Sequence, residues 1–344
     1  FNQKTSQQTG YALKDLKAQG AKNIILDLRG NPGGLLSEAV NVVNLFVPKG
    51  QLVVTTKSKV KKYNRTYYTK NEPIDTEIPL VVLINGSSAS ASEIVSGTIQ
   101  DLDRGVIVGS RSFGKGLVQR SKAMTYGTQL KVTISRYYTP SGRCIQALDY
   151  WNKDEKGNAV RVKQKDYNVF KTKNGRKVFD GGGVFPDEAL ENTKNSTITK
   201  VVLSSQTIFD FATKYYYNNT NITNINDWKL TDSDFKEVKT FLNTTEFSFE
   251  TETEKSLNKA LEIAKTENLD DDIQRDYNTL IQNLNHSKIK ALDDNKSQLK
   301  SLLSDEIIKR YVYREGLYEY YKLYNNEIKK ATEILANPTI LLLI

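Results

Sequence analysis

The first 190 residues alternate short apolar runs with amphipathic segments and glycine-rich corners. Apolar runs bounded by turn residues predict buried strands, whereas apolar residues spaced three or four apart predict helices. Strands that alternate with helices indicate an α/β domain. The pattern predicts two helices, at 35–46 and 92–102, and strands at 23–30, 51–56, 79–85, 105–109 and 129–138.

The pattern changes beyond residue 190, where glycine becomes rare and Lys, Glu, Asn, Leu and Tyr dominate. Helical spacing of apolar residues recurs at 201–218, 254–265, 271–285 and 301–335. We therefore predict an α/β domain over residues 1–192 and an all-helical C-terminal domain over residues 193–344. The tyrosines of the helical segments are interpreted as packing residues, because aromatic side chains at helical spacing usually bury their rings.

Composition excludes several kinds of site. The single cysteine, Cys144, excludes an internal disulfide framework and a cysteine-based zinc site. The single histidine, His286, lies in a polar helical stretch far from the glycine-rich loops, which argues against Ser-His-Asp catalysis and histidine-rich metal sites. The acidic run at 270–272 lacks the spacing and turn glycine of a calcium loop. We predict no cofactor and no metal.

The charge and the hydropathy of the chain do not alter this interpretation. The net charge is +9, but the lysines are mixed with acidic residues along all 344 positions, so we interpret them as a solvated surface and predict no nucleic-acid partner. No apolar stretch approaches the length of a membrane span, and the apolar terminus at 340–344 is too short.

The segment GSRSFGKG, residues 109–116, follows an apolar strand and resembles a phosphate-binding loop. That interpretation fails at two points. The eighth position should carry a hydroxyl that binds magnesium, but it is Gly116. A helix should begin at Lys115, yet the following residues show the alternation of a strand. Nucleotide binding is therefore only a minor alternative.

The segment INGSSASASEI, residues 84–94, places small residues between a strand and a helix. Free N–H groups at a helix start can donate to a developing oxyanion, and a serine there is placed as a nucleophile would be. A lysine can act as its base when burial favours the neutral amine, and Lys115 lies in a second strand-end loop of the same domain. By composition alone, Ser88, Ser90 and Ser92 are equal candidates.

Four segments together resemble a known family: LDLRGNPGGLL, SASASEI, GVIVGSRSFGKGLVQ and YYTPSGR. They look like the carboxyl-terminal processing proteases, or tail-specific proteases, of serine peptidase family S41. The resemblance covers residues 1–190 and implies a crotonase-like core with a Ser-Lys dyad. It implies that Ser90 is the nucleophile, Lys115 the general base and Gln119 the residue that orients the lysine. The implied oxyanion donors are the backbone N–H groups of Ala91 and Gly34.

The same resemblance implies a serine endopeptidase that cleaves protein substrates near accessible C-terminal tails, outside the cytoplasm of a bacterium, for example in the periplasm. It leaves open a membrane anchor in a segment preceding Phe1 and homo-oligomerisation through the helical domain. Asp101 matches an acidic position of some members, or has a structural role at a helix end. No PDZ-like carboxylate loop is visible, so we expect that domain to lie outside this chain. The alternatives are a catalytically silent scaffold protein and the nucleotide-binding enzyme.

Overall fold

A parallel sheet with helices on both faces forms the centre of the first of two compact units, Phe1–Asn192 with Asn326–Ile344. The computed structural model describes residues 1–190, 196–204, 206–220, 222, 224–242 and 250–337. The apolar terminus at 340–344 and the side chains of 270–272 lie outside this description. The elements of the first 190 residues are α1 (Thr5–Ala18), β1 (Ile24–Asp27), α2 (Leu36–Asn44), β2 (Leu52–Lys57), β3 (Arg65–Tyr68), β4 (Leu80–Ile84), α3 (Ala91–Asp101), β5 (Val106–Gly109), β6 (Leu117–Ala123), β7 (Gln129–Tyr138), β8 (Leu148–Lys153), β9 (Ala159–Arg161), β10 (Val169–Lys171), β11 (Lys177–Phe179) and β12 (Glu188–Ala189).

The central sheet has the order β1-β4-β5-β12, and every neighbouring pair is parallel. All five residues of β4 are buried, as expected for a parallel strand that is covered on both faces. Helices α2 and α3 pack on one face. The last helix, α10 (Asn326–Ala336), covers the other face with Ala331, Ile334 and Leu335. The first unit is therefore a three-layer α/β structure.

A second, antiparallel sheet has the order β3-β2-β7-β6. Strand β6 is its edge, and the distal part of the β6–β7 hairpin is exposed on both faces. The hairpin matters for the site because Lys115 immediately precedes β6 and Tyr137 lies near the end of β7.

The described residues of the second unit, Thr193–Asn325, form helices and the segments that connect them, without a strand. Its core consists of apolar residues at helical spacing, among them Phe211, Phe235 and Leu303. Among the described residues, no helix is long and apolar enough to cross a membrane. The helices are α4 (Thr197–Ser204), α5 (Thr207–Asn218), α6 (Asp232–Leu242), α7 (Glu252–Thr266), α8 (Asp270–Asp294) and α9 (Lys296–Tyr324).

The α/β class with helical C-terminal segments is confirmed, and each predicted strand or helix of the first 138 residues is present within a few positions. The helical spacing at 301–335 is interrupted, because α9 ends at Tyr324 and α10 begins at Asn326. The domain boundary at 192/193 stays a prediction. His286 is exposed on α8, which agrees with its position in a polar helical stretch.

Candidate active site

The nucleophile candidate lies at the start of α3. Ser90 has φ +55° and ψ −112°, a backbone conformation that non-glycine residues rarely adopt. Such strain persists only where surrounding contacts impose it, and it clusters at functional sites. The rival serines are fully buried, and their hydroxyls donate to backbone carbonyls: Ser88 to Leu28 at 2.8 Å and Ser92 to Asn31 at 2.9 Å. Only Ser90 of the three lines a cavity.

That cavity has a volume of about 290 Å³. Its walls bring together all five residues implied by the resemblance, namely Gly34, Ser90, Ala91, Lys115 and Gln119. The remaining lining is largely apolar, with Lys131 and Tyr137 as the polar exceptions: Leu35, Leu36, Ile94, Leu117, Val118, Lys131 and Tyr137. Lys115 is half-buried and Gln119 exposed. No hydrogen bond between the side chains of Ser90, Lys115 and Gln119 is present in this fully described stretch of the chain.

The glycine turn before α2 packs directly against the backbone around Ser90. Gly33 has φ +93°, and a Cβ there would lie 2.5 Å from the Ala89 carbonyl oxygen and 2.7 Å from the Ala91 nitrogen. Only glycine allows this approach. Within the described residues, the amides of Gly34 and Ala91 donate to no acceptor, although both residues line the cavity. Two unused donors beside a serine are what an oxyanion hole requires.

A buried carboxylate joins the nucleophile turn to the lysine loop. Oε2 of Glu93 accepts hydrogen bonds from the backbone N–H groups of Ser90 at 2.8 Å and Lys115 at 2.9 Å. Its Oε1 accepts from Ser112 Oγ at 2.5 Å and the Gly114 N–H at 2.7 Å. Burial raises the pKa of Glu93, and the four hydrogen bonds oppose that rise. Glu93 therefore connects the loop that carries Ser90 with the loop that carries Lys115, 25 positions further along the sequence.

Glu93 is not among the site residues predicted from the sequence. A signal existed, because Ser90 and Glu93 have the S-x-x-E spacing of a helix capping box, and in the structure the Glu93 side chain accepts the Ser90 N–H as in such a box. Tyr137 is not among them either; its buried hydroxyl donates to the Lys115 carbonyl and lies 3.2 Å from the Ser90 carbonyl oxygen. Burial raises the pKa of Tyr137 well above its ordinary value, and the Glu93 charge adds to the rise. No sequence spacing connects Tyr137 with either residue.

Asp101 does not line the cavity. Its side chain is fully buried and forms an ion pair with Arg143 at 2.7 Å, while its Oδ2 accepts from the Ser141 N–H at 2.9 Å. Burial lowers the pKa of Arg143, and the Asp101 charge opposes that shift. These contacts hold the YTPSGR turn against the end of α3, which favours the structural role considered for Asp101.

The base of the glycine turn is held by a second ion pair. Arg29 contacts Asp27 at 2.6 Å and also pairs with Glu327 of α10. Burial disfavours the charged form of Arg29, but both carboxylates outweigh that effect and raise its pKa. The last helix therefore contacts the segment that carries Gly34.

The phosphate-loop alternative has no structural support. Strand β6, not a helix, follows Lys115. The loop amides are also occupied, since Gly114 and Lys115 donate to Glu93 and Gly116 donates to the Gln146 side chain at 2.7 Å. A cluster of three or more His, Cys, Asp or Glu that could hold a metal is absent from the described part of the chain.

A strained serine at a helix start, a lysine in the same cavity and two unused amides are together typical of hydrolases with a serine nucleophile and a lysine base. Comparison with known proteins leads to the same class. Residues 1–150 match the model of peptidase family S41, and residues 198–335 match one described as a probable PDZ-protease, C-terminal helical domain. Over residues 1–150, the chain is thus similar to peptidase family S41.

Two curated relatives are also similar to part of this chain. A carboxy-terminal-processing protease of Bartonella bacilliformis is 43% identical over 152 residues, which are 43% of this chain and 35% of that protein. A chloroplastic C-terminal processing peptidase of Tetradesmus obliquus is 40% identical over 43% of this chain and 32% of its own length. The chain thus spans about a third of these relatives. A solved photosystem II D1 C-terminal processing protease is 31% identical, covering 58% of this chain and 44% of its own, with a TM-score of 0.43.

Proposed function

We propose that this protein is a serine endopeptidase that cleaves polypeptides near their C-termini. Ser90 is the nucleophile, Lys115 the general base, and Gln119 the residue that orients the lysine. The backbone N–H groups of Ala91 and Gly34 form the oxyanion hole. The proposal rests on one observation: all five residues line a single cavity, and one of them, Ser90, has a strained backbone conformation.

The reaction follows from these positions. The neutral amine of Lys115 takes the proton of the Ser90 hydroxyl as Oγ attacks the scissile carbonyl carbon. The oxyanion of the tetrahedral intermediate accepts hydrogen bonds from Ala91 and Gly34. The C–N bond then breaks, and Lys115 returns the proton to the leaving amine. Lys115 then takes a proton from a water molecule as the water attacks the acyl carbonyl carbon. The C–Oγ bond breaks, and Lys115 returns the proton to Ser90 Oγ, which releases the new carboxyl terminus.

The substrate class and the location are part of the proposal. The largely apolar lining of the cavity favours an apolar side chain next to the scissile bond. The relatives named as C-terminal processing proteases support action on C-terminal tails, and the relative named as chloroplastic supports a location outside the cytoplasm. A carboxylate-binding PDZ domain in a longer form of the protein would supply the selection of tails.

The test is cleavage of an unstructured protein such as β-casein, with fragment masses read by mass spectrometry. Ser90→Ala and Lys115→Ala should each lower kcat by at least about 10³-fold, since residues of one catalytic unit lose most of its rate individually. Ser87→Ala and Lys122→Ala, exposed neighbours of each residue, are the matched controls and should retain activity. Wild-type cleavage by either Ser90→Ala or Lys115→Ala would refute the dyad.

A further inference from the structure

One residue that lines the cavity, Tyr137, has no part in the proposed reaction. Tyr137 is 1% exposed, and its ring belongs to the core beneath the central sheet. Its hydroxyl donates to the Lys115 carbonyl and lies 3.2 Å from the Ser90 carbonyl oxygen. A buried hydroxyl could have bonded to many groups, yet this one contacts the backbones of the two residues assigned as base and nucleophile.

The tyrosine itself is held firmly in place. Its N–H donates to the Gly116 carbonyl at 3.0 Å, next to the lysine. On the other side, Tyr137 pairs with Thr56 of β2 in the antiparallel sheet. Because strand contacts on both sides and core packing fix the ring, the hydroxyl occupies a constant position relative to the sheet.

Both neighbours of Lys115 are anchored through their amides, Gly114 to Glu93 and Gly116 to Gln146. The flanking glycines pack closely, since a Cβ at Gly114 would lie 2.3 Å from the Ala147 Cβ and one at Gly116 2.8 Å from the Gln146 nitrogen. Glycines lower the cost of such approaches but leave the chain more freedom. The backbone of Lys115 is held by two buried side chains: Glu93 accepts its N–H and Tyr137 donates to its C=O.

We propose that Tyr137 is a positioning residue, whose hydroxyl anchors the Lys115 carbonyl and thereby places the lysine amine beside Ser90. Glu93 and Tyr137 act from opposite ends of the same residue, one on its N–H and the other on its C=O. Tyr137 touches no reacting atom. Its contribution is that Nζ reaches the serine proton without a search through loop conformations, which is how positioning raises a rate. The catalytic part of this inference rests on the proposed function.

The hydroxyl suits this task because it remains a donor. Burial and the neighbouring Glu93 charge keep its pKa well above the ordinary tyrosine value. A raised pKa in the folded state means that the protonated form, and the hydrogen bond it donates, persists at neutral pH and is lost only as pH rises through that raised value.

Tyr137→Phe tests the inference, because it removes one oxygen and keeps the ring. Tyr138→Phe is the matched control, since the neighbouring residue lies on the same strand but its ring faces the Lys57 ammonium instead. The first readout is hydrogen exchange of the segment 112–117 in the Ser90→Ala background, which does not depend on activity. We expect exchange there to be several-fold faster in Tyr137→Phe and unchanged in Tyr138→Phe.

The second readout is peptide cleavage with Ser90 present. Tyr137→Phe should lower kcat by about tenfold with KM unchanged, because a displaced base slows chemistry without altering the apolar lining. In the Lys115→Ala background, a fluorophosphonate should label Ser90 only at a residual rate. Adding Tyr137→Phe to that background should not lower this rate further.

Each outcome separates this inference from the proposed function. Faster exchange confined to 112–117, in a protein whose wild type cleaves nothing, would support the anchor and refute the peptidase. Unchanged exchange, exchange that rises throughout the first unit, or an unchanged kcat in an active enzyme would overturn the anchoring role. A further tenfold loss of labelling in the Lys115→Ala background would show that Tyr137 acts through something other than the lysine.

Discussion

Each of the two units of this protein is stabilised by a different kind of interaction. The helical unit is stabilised by apolar side chains that recur along each helix, such as Phe211 of α5, Phe235 of α6 and Leu303 of α9. The first unit has an apolar core too, but buried polar contacts also hold it, both next to the cavity and at the end of α3. Glu93, Tyr137 and Asp101 each connect segments that are distant in sequence.

This difference has a consequence for mutation. An apolar core tolerates the loss of one contact at a cost proportional to the cavity formed, whereas a buried polar network leaves a charge or donor unpaired. Substitutions in the helical unit should therefore change stability alone, and substitutions around the cavity should change stability, catalysis or both.

The largest effect should come from Asp101→Ala. Both members of the Asp101–Arg143 pair are fully buried, so the substitution leaves an unpaired buried guanidinium and should cost about 3–5 kcal/mol in the free energy of unfolding. Urea unfolding measures this cost. The control is Glu72→Ala in the exposed Lys49–Glu72 pair, which should cost less than about 1 kcal/mol. A loss of kcat without a loss of stability would instead make Asp101 part of the catalytic machinery.

In the helical unit, Leu303→Ala should cost about 2–5 kcal/mol, because Leu303 is 1% exposed and the substitution leaves a cavity. Leu269→Ala is the control, since that side chain is 53% exposed and its truncation leaves no void. Measured well below its melting temperature, Leu303→Ala should cleave substrate at the wild-type rate. A reduced kcat in the folded variant would show that the helical unit contributes to the site, and the contrast would fail.

Gly33→Ala should mainly affect catalysis. The added methyl group would contact the backbone of Ala89 and Ala91, displacing the turn that carries the Gly34 amide. A partly misplaced oxyanion donor should lower kcat by about 10–100-fold. Gly50→Ala shares the positive φ, +86°, but meets nothing within 4 Å, so it isolates backbone strain from the steric clash. Equal kcat losses in both variants would contradict the close approach to Ser90.

The smallest effect concerns pH. Hydrogen bonds from Lys17 and from the backbone N–H groups of Ile78 and Glu77 lower the pKa of Asp75 to about 2. A carboxyl whose folded pKa is depressed stabilises the protein above its unfolded pKa, and this contribution is lost as the pH falls towards 2. Asp75→Asn should therefore be about 1 kcal/mol less stable than wild type at pH 7, with the difference disappearing near pH 2. A difference that does not depend on pH would contradict this origin.

The sequence was most informative where structure is local. The buried strand β4 and the amphipathic helix α3 follow from periodicity, and the family motifs selected five residues that line one cavity. Helix α1 was not predicted, because its sequence is mostly polar and buries only Gly10 and Leu13. The catalytic roles of the five cavity residues stay predictions.

The contacts that hold the site were not predictable in the same way. Tyr137 and Lys115 meet because β7 pairs with β6, and Arg29 meets Glu327 because α10 returns to the sheet from 298 positions away. Such pairings depend on tertiary structure, and no local pattern of a single sequence encodes them. Glu93 is intermediate, since its capping-box spacing was visible but its bonds to the lysine loop were not.

Labelling by a serine-reactive fluorophosphonate, with the adduct located by peptide mass spectrometry, tests the central claim most directly. We predict one adduct, on the peptide that contains Ser90, formed at least about 10³-fold more slowly in Lys115→Ala. An adduct on a different serine, or labelling of Lys115→Ala at the wild-type rate, would contradict a Ser90–Lys115 catalytic site.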